Sequence, residues 1–305
     1  MRLLPDKTNL DFMGYRWLGF GISGFVCALS IVMLLTQGLN FGIDFRGGIL
    51  IEVRNSQPVD LSSMRGTLNT LGLGEVSLQE FGSNTDVLIR VQEQPGGEAA
   101  QQKAVATIRA TLGEGYEYRR TEFVGPKVGG ELIRAGVIAT VLACLGIGLY
   151  IWFRFEWQYG LAALVALVHD VLTTIGLFAL TQYDFNLPTV AAVLTIAGYS
   201  INDTVVVFDR VRENARKYRT MDLAELLNQS CNETLSRTIL TSSTVFVSVL
   251  ALYLVGGEAL HGFSFAMLWG VIAGTYSSVL LACPLLIYLR PRRGPSAEAA
   301  AGATS

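Results

Sequence analysis

Long apolar segments separated by short polar connectors make up most of the chain. A helix needs about 20 apolar residues to cross the hydrocarbon core of a bilayer. The pattern predicts six transmembrane helices, at residues 17–38, 132–153, 159–180, 188–208, 237–256 and 263–289. The first segment is too long for a signal-peptide core and ends without a small-residue cleavage pattern, so we expect a retained helix. We therefore interpret the chain as a polytopic α-helical membrane protein.

The stretch between the first two predicted helices, residues 39–131, has the mixed pattern of a small globular domain. Apolar residues alternate, or recur at helical spacing, in successive elements that begin near Ile49, Leu61, Val76, Val87, Val105 and Tyr116. The predicted order is βαββαβ, which is the ferredoxin-like α+β arrangement of a small sheet covered on one face by two helices.

Lys and Arg are distributed unevenly among the connectors. Residues 181–187 and 256–262 contain neither, whereas the other connectors are basic. Cytoplasmic loops carry the excess of positive charge in membrane proteins. The distribution predicts that residues 1–16, a basic loop at 209–236 and a tail at 290–305 are cytoplasmic, and that domain 39–131 lies outside. The tail is rich in Ala, Gly and Ser, so we expect it to be disordered.

Composition narrows the chemistry further. Hydrophobic residues make up 51% of the chain and the net charge is only −2. The four cysteines are scattered, three of them in apolar segments, so we expect no disulfide framework, metal site or cofactor. The basic segment at 209–236 adjoins the bilayer, where it suits anionic lipid head groups better than nucleic acid.

One acidic residue, Asp203, lies within a predicted membrane helix. A charged side chain near the centre of a bilayer costs about 2.5 to 3.5 kcal/mol on insertion scales, so such a residue is by default a candidate functional group. Arg237, at the start of the next apolar segment, is the candidate partner. Two other roles stay open: the pair could only specify helix packing, or Arg237 could extend to the cytoplasmic interface.

Polar residues surround this candidate pair at helical spacing. Tyr199 and Ser200 share a helix face with Asp203. A polar stripe on the following helix consists of Arg237, Thr241, Thr244 and Ser248. Two such faces could line a hydrated path. A carboxylate balanced between desolvation and a nearby arginine can load and unload a proton as the helices shift.

His169 and Asp170 form a second polar pair, in the middle of a predicted helix. Adjacent helical residues point about 100° apart, so we expect that the two cannot face one partner, and no third ligand lies at metal spacing. Either they belong to the same proton path or they form packing hydrogen bonds between helices.

Two glycine-containing motifs are interpreted structurally. Asp44 and Arg46 precede paired glycines and either place the outer domain against the membrane or close a turn, and we favour the turn. Gly270 and Gly274 form a GxxxG pattern, which predicts close helix contact.

Four motifs identify a family resemblance. They are FGIDFRGG at residues 41–48, GPKVGGEL at 125–132, INDTVVVFDRVREN at 201–214 and SRTILTSS at 236–243. Together with the topology, they closely resemble the SecF family of bacterial protein-translocase subunits, within the resistance-nodulation-division superfamily.

The resemblance implies a function and partners. Such a subunit pairs with SecD, associates with the SecYEG channel, and uses the proton-motive force to promote export of unfolded polypeptides across the bacterial inner membrane. YajC and YidC are further candidate partners. Residues 39–131 would then be periplasmic.

The family's intramembrane acid corresponds to Asp203, which follows Asn202 in the matching motif, and its intramembrane arginine to Arg237. Asn202 is counted with the candidate proton path. The resemblance also implies that SecD supplies a second acid, so this chain alone would not be a complete pump.

Two other function classes are weighed against this one. A proton-driven exporter of lipids or small molecules from the same superfamily is the alternative, although such exporters generally carry two six-span halves. A membrane hydrolase is disfavoured, because the sequence shows no nucleophile with a base and no zinc motif. We therefore expect no enzymatic activity.

Overall fold

The computed structural model describes residues 8–74, 76–124, 126–256 and 260–291. The outer elements are α2 (Ile43–Arg46), β1 (Gly48–Asn55), α3 (Leu61–Asn69), β2 (Val76–Phe81), β3 (Ser83–Val91), α4 (Gly97–Leu112) and β4 (Tyr116–Val124). The long helices are α1 (Arg16–Thr36), α5 (Pro126–Arg154), α6 (Trp157–Thr181), α7 (Leu187–Lys217), α8 (Leu223–Val255) and α9 (His261–Ser277). A π-helical turn, Ser278–Ala282, connects α9 to α10 (Cys283–Leu289).

Six helical spans within the described residues are long and apolar enough to cross a membrane, when α9, the π-helical turn and α10 are taken as one. This confirms the predicted fold class. Most ends lie within a few residues of the predicted ones. α5 starts earlier than expected, at Pro126, so every residue of the GPKVGGEL motif after the first belongs to this helix.

The predicted loop at 209–236 is wrong, because nearly all of it is helical. α7 continues to Lys217 and α8 starts at Leu223, so only residues 218–222 connect them. Polar contacts stabilise the two extensions: Arg210 Nε donates to Glu233 Oε2 at 2.6 Å, and Asn214 Nδ2 donates to Ser230 Oγ at 3.0 Å. These charged residues are good helix formers, so they do not stop a helix at the membrane surface.

The sheet domain, residues 48–124, confirms the predicted βαββαβ order. Its strands are antiparallel in the order β2-β3-β1-β4, and α3 and α4 contribute to one buried core. Ile49, Ile51 and Val53 alternate towards that core, where Leu68 of α3 and Ile108 of α4 cover them. This alternation with period two is the pattern from which the sheet was predicted.

The short helix α2 joins the sheet domain to the membrane helices. Asp44 Oδ2 accepts a hydrogen bond from the backbone N–H of Leu187, at the start of α7, at 2.9 Å. Gly47 and Gly48 follow with φ of 74° and 126°, values that favour glycine. Both interpretations of this motif are therefore correct, since Asp44 docks the segment while the glycines turn it into β1.

Among the membrane helices, α9 lies at the centre of the bundle and packs against α6, α7 and α8. Its small residues allow the close approach. A Cβ added at Gly274 would lie 3.0 Å from Ser200 Cβ of α7, and one at Gly270 would overlap the Ile196 side chain. The GxxxG prediction is confirmed. By contrast, no residue of the apolar window in α5 is buried within this chain.

Some predictions fall on residues outside the described part of the chain. The expected disorder of the tail concerns mainly residues 292–305, and residues 1–7 at the other end are likewise outside.

Candidate functional site

Asp203 lies in the middle of α7 and is buried, with only 3% of its surface exposed. Its Oδ2 accepts a hydrogen bond from Ser242 Oγ of α8 at 3.2 Å. Ser242 is itself the centre of a small cluster: its Oγ accepts from Tyr199 Oη at 3.2 Å and lies 2.7 Å from Thr275 Oγ1 of α9. Three helices thus meet at this carboxylate through hydroxyl groups.

The predicted partner, Arg237, lies on a different face of α8. Its side chain is exposed in this chain, and no ion pair within 4.0 Å joins it to Asp203 in the part of the chain that the structure describes. The stripe predicted with it follows the same face. Thr241 Oγ1 donates to the Arg237 carbonyl at 3.0 Å, and Thr244 Oγ1 donates to the Thr241 carbonyl at 2.8 Å. These hydroxyls donate to carbonyl groups of their own helix, and the Thr241 hydroxyl also interacts with the Asp203 carboxylate of α7.

Asp170, on α6, is completely buried and accepts three hydrogen-bonding contacts. Ser200 Oγ and Ser277 Oγ donate to its Oδ2 at 2.5 and 2.8 Å. His169 Nδ1 lies 2.8 Å from its Oδ1. We expected that His169 and Asp170 could not face one partner, but the two side chains contact each other. Asp170 also accepts hydrogen bonds from α7 and α9. The flexible χ angles of His169 and Asp170 overcome the 100° offset of their positions on the helix.

The two buried carboxylates are linked through one turn of α7. Ser200 bonds to Asp170, while Asp203, three residues later, bonds to Ser242. Thr204 continues the polar surface, with its Oγ1 2.8 Å from Ser278 Oγ in the π-helical turn. Such π-helical turns occur frequently at functional sites. Residues of α7 and α9 therefore take part in the hydrogen-bonded clusters around both carboxylates.

The electrostatics of this region are unusual. No Lys or Arg lies within 4.0 Å of either carboxylate among the side chains described. An ionised carboxylate without a paired cation costs several kcal/mol to bury. Hydroxyl donors can solvate the carboxylate in either protonation state, since each can also accept a hydrogen bond. Hydroxyl groups therefore hold both carboxylates in place of a paired Lys or Arg among the described residues.

The structure brings together some of the predicted residues but not others. Tyr199, Ser200 and Asp203 belong to the hydroxyl-rich region, whereas Asn202 is exposed and joins neither set of described hydrogen bonds. Sequence reasoning missed Ser242 and Thr275. Ser242 directly follows Thr241 in a Thr-Ser-Ser-Thr run, so the sequence places hydroxyl groups in this part of α8. The spacing of these residues does not show which of them faces Asp203.

No group of three or more His, Cys, Asp and Glu side chains that could hold a metal ion occurs within the described ranges. Two buried thiols, Cys231 of α8 and Cys283 of α10, lie 3.2 Å apart as free cysteines.

Two family models match the chain. The model described as "Protein export membrane protein SecD/SecF, C-terminal" covers residues 104–292. The model described as "SecD/SecF GG Motif" covers residues 32–59, which include the paired glycines after α2.

Curated relatives match over nearly the whole length. The protein translocase subunit SecF of Rickettsia felis is 48% identical over 297 residues, covering 96% of each chain. The protein of the same name from Cereibacter sphaeroides is 46% identical over 312 residues, covering 99% of this chain and 96% of its own.

Solved structures show the same architecture. A crystal structure of SecDF from Thermus thermophilus, titled a translocon-associated membrane protein, superimposes with a TM-score of 0.85 at 33% identity over 95% of this chain. SecDF in its super-membrane-facing form gives a TM-score of 0.70 at 32% identity over 100% of this chain. The chain spans only 40% and 41% of those two solved chains. With the family models and the curated relatives, these matches show that this chain belongs to the SecD/SecF family of protein-export membrane proteins.

Proposed function

We propose that this chain acts as the SecF-type subunit of the Sec protein-export machinery and couples the proton-motive force to translocation of unfolded polypeptides. The relatives that match it over nearly their full length are named protein translocase subunit SecF. The role is one of transport, without a chemical reaction on the polypeptide.

The partner assignment follows from length. This chain covers about two fifths of the solved SecDF chains. A separate SecD subunit supplies the remainder, and the SecYEG channel is the translocon with which the pair associates. YajC and YidC are further partners that rest on the family resemblance alone.

The proposed orientation follows from charge. Arg154, the basic end of α7 and the start of α8 lie on one side of the bundle, and the sheet domain lies at the opposite ends of the helices. By the positive-inside rule, both termini face the cytoplasm and the sheet domain faces the periplasm. The membrane is then the bacterial inner membrane.

The single observation that carries the coupling role is the buried Asp203 carboxylate held by hydroxyl groups from α8 and α9. Ionisation of Asp203 favours a helix arrangement that brings Arg237 or water closer, whereas protonation suits the arrangement seen here. Proton loading and release at one residue therefore select between two packings of α7 and α8. Movement of α7 reaches the outer side because Asp44 contacts the first residue of that helix.

The available energy is sufficient. One charge that crosses a potential of 100 mV yields about 2.3 kcal/mol. A complete shift of a two-state equilibrium from 1:99 to 99:1 takes about 5.5 kcal/mol, so one or two protons change the populations substantially.

The test is gradient-driven export into inverted membrane vesicles that contain this chain with SecD and SecYEG. We expect Asp203→Asn and Arg237→Met to assemble normally and lose the gradient-dependent part of export. Asp209→Asn is the matched control, because this acid lies six residues further along α7 with a side chain that is 64% exposed. If Asp203→Asn assembles and its export still responds fully to the gradient, the coupling role is wrong.

A further inference from the structure

A stripe of buried hydroxyl groups runs along α8 from the Asp203 site towards the N-terminus of α8, which lies beside the basic end of α7. Its members recur at every fourth position and are all buried: Ser242, Thr238, Thr234 and Ser230. Residues four apart lie on the same helix face. At a rise of 1.5 Å per residue, the stripe spans about 18 Å. It is offset by one residue from the exposed stripe at Arg237 and Thr241.

The two ends of the stripe are connected to polar groups. Ser242 donates to Asp203, as described above. At the other end, Ser230 Oγ accepts from Asn214 Nδ2 at 3.0 Å, and the same Nδ2 lies 2.8 Å from Glu233 Oε2. Glu233 is partly exposed and also contacts Arg210. The stripe therefore begins at a buried carboxylate and ends beside charged groups at the protein surface.

Thr238 is the informative member. It is 1% exposed, and its Oγ1 has no hydrogen-bond partner among the described residues. By contrast, Thr234 Oγ1 donates to the Ser230 carbonyl of its own helix at 3.0 Å. Buried hydroxyls are nearly always satisfied by protein or by ordered water. The Cβ atoms of Thr238 and Ser242 are about 5 to 6 Å apart as an i,i+4 pair, a span that one water molecule bridges.

We propose that this stripe is the route by which a proton travels between Asp203 and the cytoplasmic surface, with Thr238 as the residue that positions its water. The inference rests on the proposed coupling function and assigns one half of the proton route. One proton leaves the Asp203 carboxyl for Ser242 Oγ while Ser242 passes its own proton to the water at Thr238. The proton then reaches bulk solvent past Thr234, Ser230 and Glu233, and no bond between heavy atoms changes.

Thr238→Val is the decisive variant, because valine keeps the shape of threonine and removes only the hydroxyl. If Thr238 has a packing role alone, this change leaves stability equal or higher, since no protein hydrogen bond is lost. If the stripe conducts protons, proton uptake by vesicles containing this chain with SecD slows about tenfold, through the barrier increase from one lost hydrogen bond. Thr238→Ser restores the hydroxyl, and we expect it to recover uptake.

The same vesicles are compared with two reference variants. Thr195→Val removes an exposed hydroxyl of α7 that bonds only to the Ala191 carbonyl of its own helix, and we expect native uptake. Asp203→Asn tests the underlying function. If Thr238→Val keeps native proton uptake while Asp203→Asn loses it, the stripe is not the proton route, but the proposed coupling function is retained. If both variants keep native proton uptake, the proton route along the stripe and the coupling function of Asp203 are both wrong. Slow uptake in Thr238→Val that Thr238→Ser does not recover also refutes the inference.

Discussion

Replacement of Asp170 by alanine tests the hydrogen-bonded cluster that joins α6, α7 and α9. The carboxylate is completely buried, and it receives Ser200 Oγ at 2.5 Å, Ser277 Oγ at 2.8 Å and His169 Nδ1 at 2.8 Å. Asp170→Ala removes the common partner of these three groups and leaves them buried. We expect this variant to be among the most destabilised in the membrane region.

The magnitude follows from the number of contacts. Hydrogen bonds between membrane helices contribute on average about 0.6 kcal/mol and at most about 1.7 kcal/mol. Three such contacts predict a loss of about 2 to 5 kcal/mol for Asp170→Ala. Asp170→Asn keeps one oxygen for the two serine hydroxyls and offers an amide N–H to His169, which can accept it in one tautomer. The asparagine variant should therefore lose less than about 1 kcal/mol.

The assay is unfolding of the purified chain in detergent micelles, followed by circular dichroism. Asp209→Ala is the matched control, since this acid on α7 is exposed and its loss should stay within about 0.5 kcal/mol. Equal stability of Asp170→Ala and Asp170→Asn would refute the hydrogen-bonding argument.

The asparagine variant also separates the two roles that the sequence left open for His169 and Asp170. If the cluster serves only packing, Asp170→Asn retains gradient-driven export. If Asp170 carries a proton, the variant folds but loses that part of export.

Three further predictions follow. Gly274→Ala would place a Cβ 3.0 Å from Ser200 Cβ, so we expect α7 and α9 to separate at a cost of about 1 to 3 kcal/mol in unfolding measurements; an unchanged stability would contradict the close contact. In the sheet domain, the Arg54 guanidinium lowers the pKa of Asp86 to about 2. The ion pair therefore stabilises the fold above about pH 4, and this stabilisation is lost as the pH falls towards 2. When unfolding stability is measured against pH, Asp86→Asn should not show this loss. If Asp86→Asn shows the same loss as the native protein, the prediction is wrong. Arg237→Met should change the free energy of unfolding by less than about 0.5 kcal/mol, because the side chain is exposed, and a larger loss would show that it has a buried partner in the folded chain.

The sequence by itself determined the architecture. The six spans follow from the length of each apolar segment, and the βαββαβ order follows from local alternation in residues 48–124. Asp203 also stood out without any structure, because a carboxylate in an apolar segment is costly wherever the helix packs. Each of these properties depends on neighbours along the chain, so pattern analysis could reach them.

The predicted loop at 209–236 shows where local reasoning ends. Charge was read as the end of a membrane span, but charge does not end a helix. Hydrogen bonds from Arg210 to Glu233 and from Asn214 to Ser230 hold the end of α7 against the start of α8. The partners are 23 and 16 residues apart in sequence, so local patterns do not show them.

Only the tertiary structure decided which polar residues face one another. The α8 sequence carries hydroxyl groups at adjacent positions, so it offers one stripe through Thr241 and another through Ser242. A shift of one residue rotates the chosen face by about 100°. That rotation is set by the packing of α8 against α7 and α9, where Gly270 and Gly274 permit the close approach of α9. Ser242 therefore lies at hydrogen-bonding distance from Asp203 because of helix packing, which no spacing rule within one helix contains.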